Sequence, residues 1–340
     1  MTYITERRLE ELLRNFRSKT VAVVGDLMLD RYFWGSVSRI SPEAPVPIVD
    51  VESESARLGG AANVANNIQS LGGKALLVGV VGNDASGDLL LQLMKEQKFP
   101  TEGIVRDPSR STTVKTRIIA HSQHVVRIDR ESKSAISGAL AERVIGVLKK
   151  NITHLDAVIL QDYNKGVITA SLISDAIALA KNEKKIVAVD PKLDNFFAYG
   201  GVTIFKPNKR EVEKALNRSL ESDADVHSAG QELLKRLEAE SVLITQGEKG
   251  MTLFERKDNP MHVPARARKV ADVSGAGDTV ISTLTLALAG GANMREACLL
   301  ANFAGGVVCE EVGVVPVELS ALREAVLEST NHTPSHGGHS

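Results

Sequence analysis

The chain has 340 residues, 43% of them hydrophobic, with Lys+Arg 41 against Asp+Glu 42. That is apolar material for one or two cores, without the excess of positive charge that nucleic acid or an anionic membrane surface would call for. No apolar run approaches the roughly 18 residues of a membrane span. Cys298 and Cys309 are the only cysteines and lack CxxC spacing, and the N-terminal stretch MTYITERRLEELLRNF is charged and amphipathic rather than a signal peptide. A cytoplasmic protein is expected.

Taken in chain order, short β-branched runs at 20–24, 75–81, 157–160, 186–189, 202–205 and 242–245 read as buried strands. Helical patterns at 60–71, 85–98, 136–150, 171–181 and 226–238 fall between them. Strand and helix in alternation predict βαβ units, hence an α/β fold with a doubly wound, mostly parallel sheet flanked by helices. Two segments break the rhythm. Residues 31–58, with three prolines in SPEAPVP, and residues 112–130 read as strands and a hairpin without helices. A small antiparallel sheet standing off the main domain would hold both. The expected organisation is one domain over 1–330, a lid formed by about 31–58 and 112–130, and a disordered tail at 331–340.

Asp272-Val-Ser-Gly-Ala-Gly-Asp278 precedes an apolar helical segment at 279–289. A helix N-terminus offers backbone N–H groups without intrahelical acceptors and the positive end of the dipole. Gly275 and Gly277, with the short Ala276 between them, leave those amides open to a phosphate oxygen. Asp278 stands beside them, a carboxylate able to take a proton from a hydroxyl while the amides stabilise a transferring phosphoryl group. The same residues also suit a plain helix cap and a tight turn, and alone they leave both readings open.

A second constellation favours the chemical reading. Asp26 and Asp30 follow the first strand, at the carboxyl edge where open α/β sheets bind ligands. Gly59, Gly60 and Asn63 open another helix with donors suited to a polyol, although ordinary capping explains them equally well. No GxxxxGK[ST], no GxGxxG after the first strand and no HExxH occurs, so P-loop, dinucleotide and zinc-protease readings are set aside.

Together these stretches resemble the ribokinase-like carbohydrate kinases over nearly the whole chain. The resemblance implies ATP as donor, Asp278 as catalytic base and the amides of Gly275, Ala276 and Gly277 as the anion hole. Lys206-Pro-Asn-Lys-Arg-Glu211 is similar to the family's Asn-x-x-Glu element. That implies Asn208 near the nucleotide phosphates and Glu211 ordering Mg²⁺ through water, where the residues alone read as a solvated helix start. Thr245-Gln-Gly-Glu-Lys-Gly250 resembles the loop that holds ATP, implying contacts from Thr245, Gly247 and Gly250, with Asn302 beside the adenosine. Val273 stands where the family often has Thr. Within the family, the stretches 25–35, 38–47 and 270–280 are similar to the kinases that phosphorylate D-glycero-β-D-manno-heptose 7-phosphate at O1 in lipopolysaccharide heptose synthesis. In many bacteria such a kinase is fused to an adenylyltransferase; here that next step is expected on another polypeptide.

A phosphorylated sugar needs cations away from Asp278. Lys192, after a strand end, ranks first, then Arg117 and Arg39, each also readable as a surface charge. Asp30, Gly59, Gly60 and Asn63 are expected around the sugar, with Asp162 and Asp190 at comparable strand ends. Tyr32, Phe33 and Trp34 suit either a lid-to-lid homodimer interface or packing within one subunit. Another sugar substrate and a non-catalytic sugar- or nucleotide-binding regulator remain the alternatives.

Overall fold

A computed structural model describes residues 4–121, 123–266 and 271–331. The strands are β1 (Thr20–Ile40), β2 (Pro47–Gly60), β3 (Lys74–Gly82), β4 (Ile104–Asp107), β5 (Thr113–Ala120), β6 (Gln123–Arg130), β7 (Ala157–Gln161), β8 (Ile186–Asp190), β9 (Ile204–Phe205), β10 (Ser241–Thr245), β11 (Met251–Glu255) and β12 (Met261–Val263). The helices are α1 (Glu6–Phe16), α2 (Ala61–Ser70), α3 (Ala85–Glu96), α4 (Gly138–Asn151), α5 (Ala170–Asn182), α6 (Lys209–Leu216), α7 (Asp223–Leu237), α8 (Ala276–Ala289), α9 (Met294–Cys309) and α10 (Leu319–Asn331). The tail expected to be disordered lies, from 332 on, outside the described residues.

The main sheet runs β12-β11-β10-β9-β8-β7-β1-β3-β4. It is parallel except where β11 pairs antiparallel with β10 and with β12. Successive side chains of a strand point to opposite faces, and the two cores follow that alternation. Val21, Val23, Ala157, Ile159 and Ala188 pack on one side with residues of α1, α2, α8 and α9. Ala22, Val24, Val158, Leu160, Val187 and Val189 pack on the other with α4, α5 and α7. The strand expected over 202–205 is confined to Ile204–Phe205. The chain arrives there from a turn in which Gly201 has φ 69°, and it joins the ladder late.

β1 belongs to two sheets. Its first part pairs with β3 and β7, and from Leu27 onward it pairs with β2 and from Met28 with β5, to which β6 adds. The resulting lid has the order β2-β1-β5-β6 and is not wholly antiparallel, because β1 and β5 run parallel. The reason is topological. β4 runs parallel to β3, and β5 continues outward in that direction, so it meets β1 running the same way. The crossing from main sheet to lid demands close approach: a Cβ on Gly25 would sit 2.2 Å from the Gln161 carbonyl oxygen.

Candidate active site

The site forms where the strand ends meet the N-termini of α2 and α8. Gly25, Gln161 and Asp190 pair in register across β1, β7 and β8. By alternation all three face the layer that contains α2 and α8. α8 is capped by Gly275 in the left-handed region (φ 83°), and Asp278 follows in its first turn. The side chains of α8 are buried almost throughout, and its hydroxyls turn to local acceptors: Ser282 donates to the Asp278 carbonyl at 2.6 Å and Thr285 to the Ile281 carbonyl at 2.7 Å. A polar seam joins α8 to α2, with Asn63 Nδ2 donating to Asp278 Oδ2 (2.8 Å) and Thr279 Oγ1 to Asn67 Oδ1 (3.0 Å). Asn63 and Asn67 are four apart and share one face of α2.

Asp278 is 7% exposed. Its Oδ1 accepts from the Tyr163 hydroxyl and from Gln161 Nε2 (3.3 Å). Burial pushes this carboxyl up to about 6; donation from Asn63 and Tyr163 works against the rise, nearby Asp190 adds to it and Lys206 opposes it. Gln161 Nε2 also reaches Asp190 Oδ2 (3.2 Å), which pairs with Lys206 Nζ at 3.1 Å. Lys206 is 3% exposed, a buried ammonium that a nearby carboxylate keeps compatible with the fold. Among the described residues, the amides of Gly275, Gly277 and Asp278 have no hydrogen-bond acceptor, whereas Ala276 N–H donates to the Val273 carbonyl at 3.3 Å. A Cβ on Gly277 would lie 3.7 Å from Lys206 Nζ and 3.9 Å from Asp190 Oδ2, which places the bare amide, the ammonium and the carboxylates around one small volume.

Other expected residues have different surroundings. Asp162 is fully buried on the opposite face of the sheet, accepting from Asn164 N–H (2.7 Å), the Tyr199 hydroxyl (2.7 Å) and Asn195 Nδ2 (3.3 Å). Strand alternation turns Gln161 toward Asp278 and Asp162 away from it. Asp26 lies on that same far side and accepts the amides of Tyr163, Lys165 and Val167. Asp30 instead turns to the lid, paired with Arg117, and a Cβ on Gly59 would collide with its Oδ2. Gly60 has φ 60° where β2 turns into α2.

Lys192 lies against Glu211, with Asp190 at 3.8 Å and the Tyr163 ring centroid at 5.5 Å. Burial alone would lower its pKa, but Asp190 and Glu211 hold it above the ordinary lysine value. Glu211 and Asn208 form a capping box on α6: Asn208 N–H donates to Glu211 Oε2 (2.8 Å) and Glu211 N–H to Asn208 Oδ1 (3.0 Å). Thr245 forms a bridge with Asn208. The turn after it uses Gly247 (φ 60°) and Gly250 (φ 88°), where a Cβ on Gly250 would meet the Val263 carbonyl oxygen at 2.1 Å. Asn302 donates to the Pro264 carbonyl (2.9 Å).

Among the described residues, no group of three or more His, Cys, Asp or Glu side chains could enclose a metal. Carboxylates such as Glu211 and Asp190, although each is near Lys192, suit a magnesium ion that keeps its waters and is held mainly by phosphates. Of the lid aromatics, Tyr32 is 1% exposed, stacked with Trp34 at 5.9 Å, with the guanidinium groups of Arg57 and Arg117 each 5.3 Å from its ring. It packs within the subunit. Gln161, Tyr163 and Lys206 went unremarked as site residues in the sequence. Register across the strand ends was the available signal for Gln161, and none marked the buried lysine.

An α/β sheet with a β lid, an anion-accepting helix N-terminus and a buried carboxylate beside it define a sugar kinase of ribokinase-like fold. The chain belongs to the pfkB family of carbohydrate kinases, whose family model matches residues 18–320. It is 45% identical over 317 residues to the bifunctional protein HldE of Caulobacter vibrioides and 41% identical over 311 residues to that of Geobacter metallireducens. These alignments cover 92% of this chain in both cases, but 65% and 64% of those proteins, so the chain spans less than two thirds of their length. Its fold matches the tetrameric inhibited form of phosphofructokinase-2 from Escherichia coli (TM-score 0.75, 19% identity, 92% of this chain and 99% of that one). It also matches Arabidopsis thaliana ribokinase complexed with ribose and ATP (TM-score 0.70, 18% identity, 91% and 98%). Members of the family use ATP. No helix among the described residues is long and apolar enough to cross a membrane.

Proposed function

We propose that the chain transfers the γ-phosphoryl group of ATP to O1 of D-glycero-β-D-manno-heptose 7-phosphate, giving the 1,7-bisphosphate. The observation that carries the phosphoryl-transfer reading is the buried Asp278 carboxylate set beside the unpaired amides of Gly275 and Gly277. The heptose assignment rests on the resemblance of the stretches 25–35, 38–47 and 270–280 and agrees with the 41–45% identity to the HldE proteins.

In this reading Asp278 accepts the O1 proton as the sugar oxygen attacks phosphorus in line, and the proton remains on the carboxyl. The amides of Gly275, Gly277 and Asp278 hold the equatorial oxygens; Ala276, whose amide is spent on Val273, serves as the small residue between them. Asn63 and Tyr163 hold the carboxylate in place and support its charged form. Lys206 and Lys192 supply positive charge to the phosphate side. Asn208, Thr245, Gly247, Gly250 and Asn302 border the ATP groove. Magnesium, when bound, would neutralise charge on the nucleotide phosphates, with Glu211 holding it through water. Closing the lid, whose strands carry Asp30, Gly59 and Gly60, excludes water from the reacting centre.

A homodimer through the lid belongs to the same proposal. On β6, Val126 and Ile128 are 47% and 55% exposed and alternate with Arg127 and Asp129, so the outer face is apolar and the strand edge is open. A second copy of the chain would cover both, in a cytoplasmic enzyme. Phosphorus NMR of the products from ATP and heptose 7-phosphate tests the reaction. A new anomeric phosphate resonance growing with ADP is expected. ADP without that resonance would reject the acceptor, and tight binding without ADP would reject the kinase reading.

A further inference from the structure

Both carboxylate oxygens of Glu211, the residue read as ordering magnesium, are already taken. Oε2 accepts the Asn208 amide and closes the cap of α6, and Oε1 accepts Lys192 Nζ. Opening Oε2 would undo a helix cap, whereas opening Oε1 requires only one side chain to move. Lys192 Nζ also reaches the Pro191 carbonyl at 3.3 Å and lies 3.8 Å from Asp190, and the Asp278 charge acts on it as well. Its ammonium therefore stands among three carboxylates, on the one Glu211 oxygen that a metal-bound water could use without cost to the fold.

The local charge makes the lysine and a metal ion competitors. Lys206 serves Asp190, but among the described ion pairs Glu211 has Lys192 alone. Without that ammonium, carboxylates short of positive charge would draw in a divalent cation. With it, like charges repel, and free metal is kept off Glu211. Nucleotide phosphates change the balance, because they offer Lys192 oxygens of higher negative charge than the carboxylate it leaves. The Tyr163 ring, whose centroid lies 5.5 Å from Nζ and whose hydroxyl reaches Asp278, gives the ammonium an aromatic face on the side of the reacting centre.

We propose that Lys192 is a resident cation that trades places with magnesium on Glu211: it holds the carboxylate before nucleotide arrives, and releases it to a metal-bound water when the phosphates of ATP draw the ammonium away. The inference rests on the reading that ATP with magnesium is the phosphoryl donor. It puts Lys192 at the nucleotide end rather than at the sugar's own phosphate, and it makes metal enter with the nucleotide rather than ahead of it.

Mn²⁺ binding, followed by electron paramagnetic resonance, probes the site in the full chain without nucleotide. Lys192→Met should take up Mn²⁺ at least about tenfold more tightly than wild type, and Lys192→Arg should match wild type. Adding Glu211→Gln to Lys192→Met should abolish the gain. A second measurement needs no charge-removing variant. The ε-carbon NMR resonance of Lys192, assigned with Lys192→Arg, should shift when magnesium is added with a non-hydrolysable ATP analogue and stay in place with magnesium alone. Equal Mn²⁺ affinity in wild type and Lys192→Met, or a gain that survives Glu211→Gln, overturns the exchange. So does a Lys192 resonance that ignores the nucleotide complex or moves with magnesium alone. Where the chain still binds the analogue and forms ADP, those results reject the exchange and leave the kinase reading standing; a chain that binds no analogue rejects both.

Discussion

Two sets of buried carboxylates flank the same sheet ends and are satisfied in different ways. On the α4 and α5 side, Asp26 accepts three backbone amides, and Asp162 accepts one amide, a buried tyrosine hydroxyl and an asparagine. On the α2 and α8 side, Asp278 and Asp190 are met by side chains alone among the hydrogen bonds and ion pairs described: Asn63, Tyr163, Gln161, Lys206 and Lys192. A main-chain donor is fixed by the fold, whereas a side-chain donor can swing aside for a substrate hydroxyl. Burial therefore does not separate structural from reactive carboxylates here. The presence of at least one main-chain donor on Asp26 and Asp162, and of none on the Asp278 and Asp190 carboxylates among the hydrogen bonds described, does.

That contrast is broken most severely by Asp278→Asn. The variant removes the proton acceptor, and turnover should fall by about two to four orders of magnitude while ATP binding is retained, as read by steady-state kinetics and nucleotide titration. Turnover within tenfold of wild type would remove Asp278 from the base role. On the other face, Asp162→Asn should cost about 1–3 kcal/mol in denaturant unfolding by mismatching buried donors. At a temperature where that variant is folded, its kcat should stay within about threefold of wild type. A collapse of kcat without loss of stability would return Asp162 to the reacting side.

Much of the fold was legible in the sequence because strand and helix alternate and the strands are β-branched. The lid's parallel pairing was not. A hairpin such as 113–130 announces its own antiparallel turn, but its alignment to β1 depends on β4, a four-residue strand too short to signal itself. Within the site, Gly275, Gly277 and Asp278 were legible because two glycines and a carboxylate stand directly ahead of an apolar helix, although a tight turn uses the same residues. Asp162 was singled out by proximity to a strand end alone, and period-two alternation turns it to the face away from Asp278. Lys206 carried no mark as a site residue in the sequence, since only tertiary contacts reveal that it is buried against Asp190.

The central claim, that Asp278 works as a buried base supported by exchangeable donors, is tested most directly by the pH dependence of kcat/KM in the wild type and in Tyr163→Phe. Burial raises the Asp278 carboxyl to about 6, so the rate should be level above that pH. Below it the protonated acid accepts nothing, and the rate should fall by about tenfold per unit. The Tyr163 hydroxyl favours the charged form, so its removal should move this limb to higher pH. An acid limb at the ordinary carboxylate range, or one that stays in place when Tyr163 becomes phenylalanine, would contradict the account.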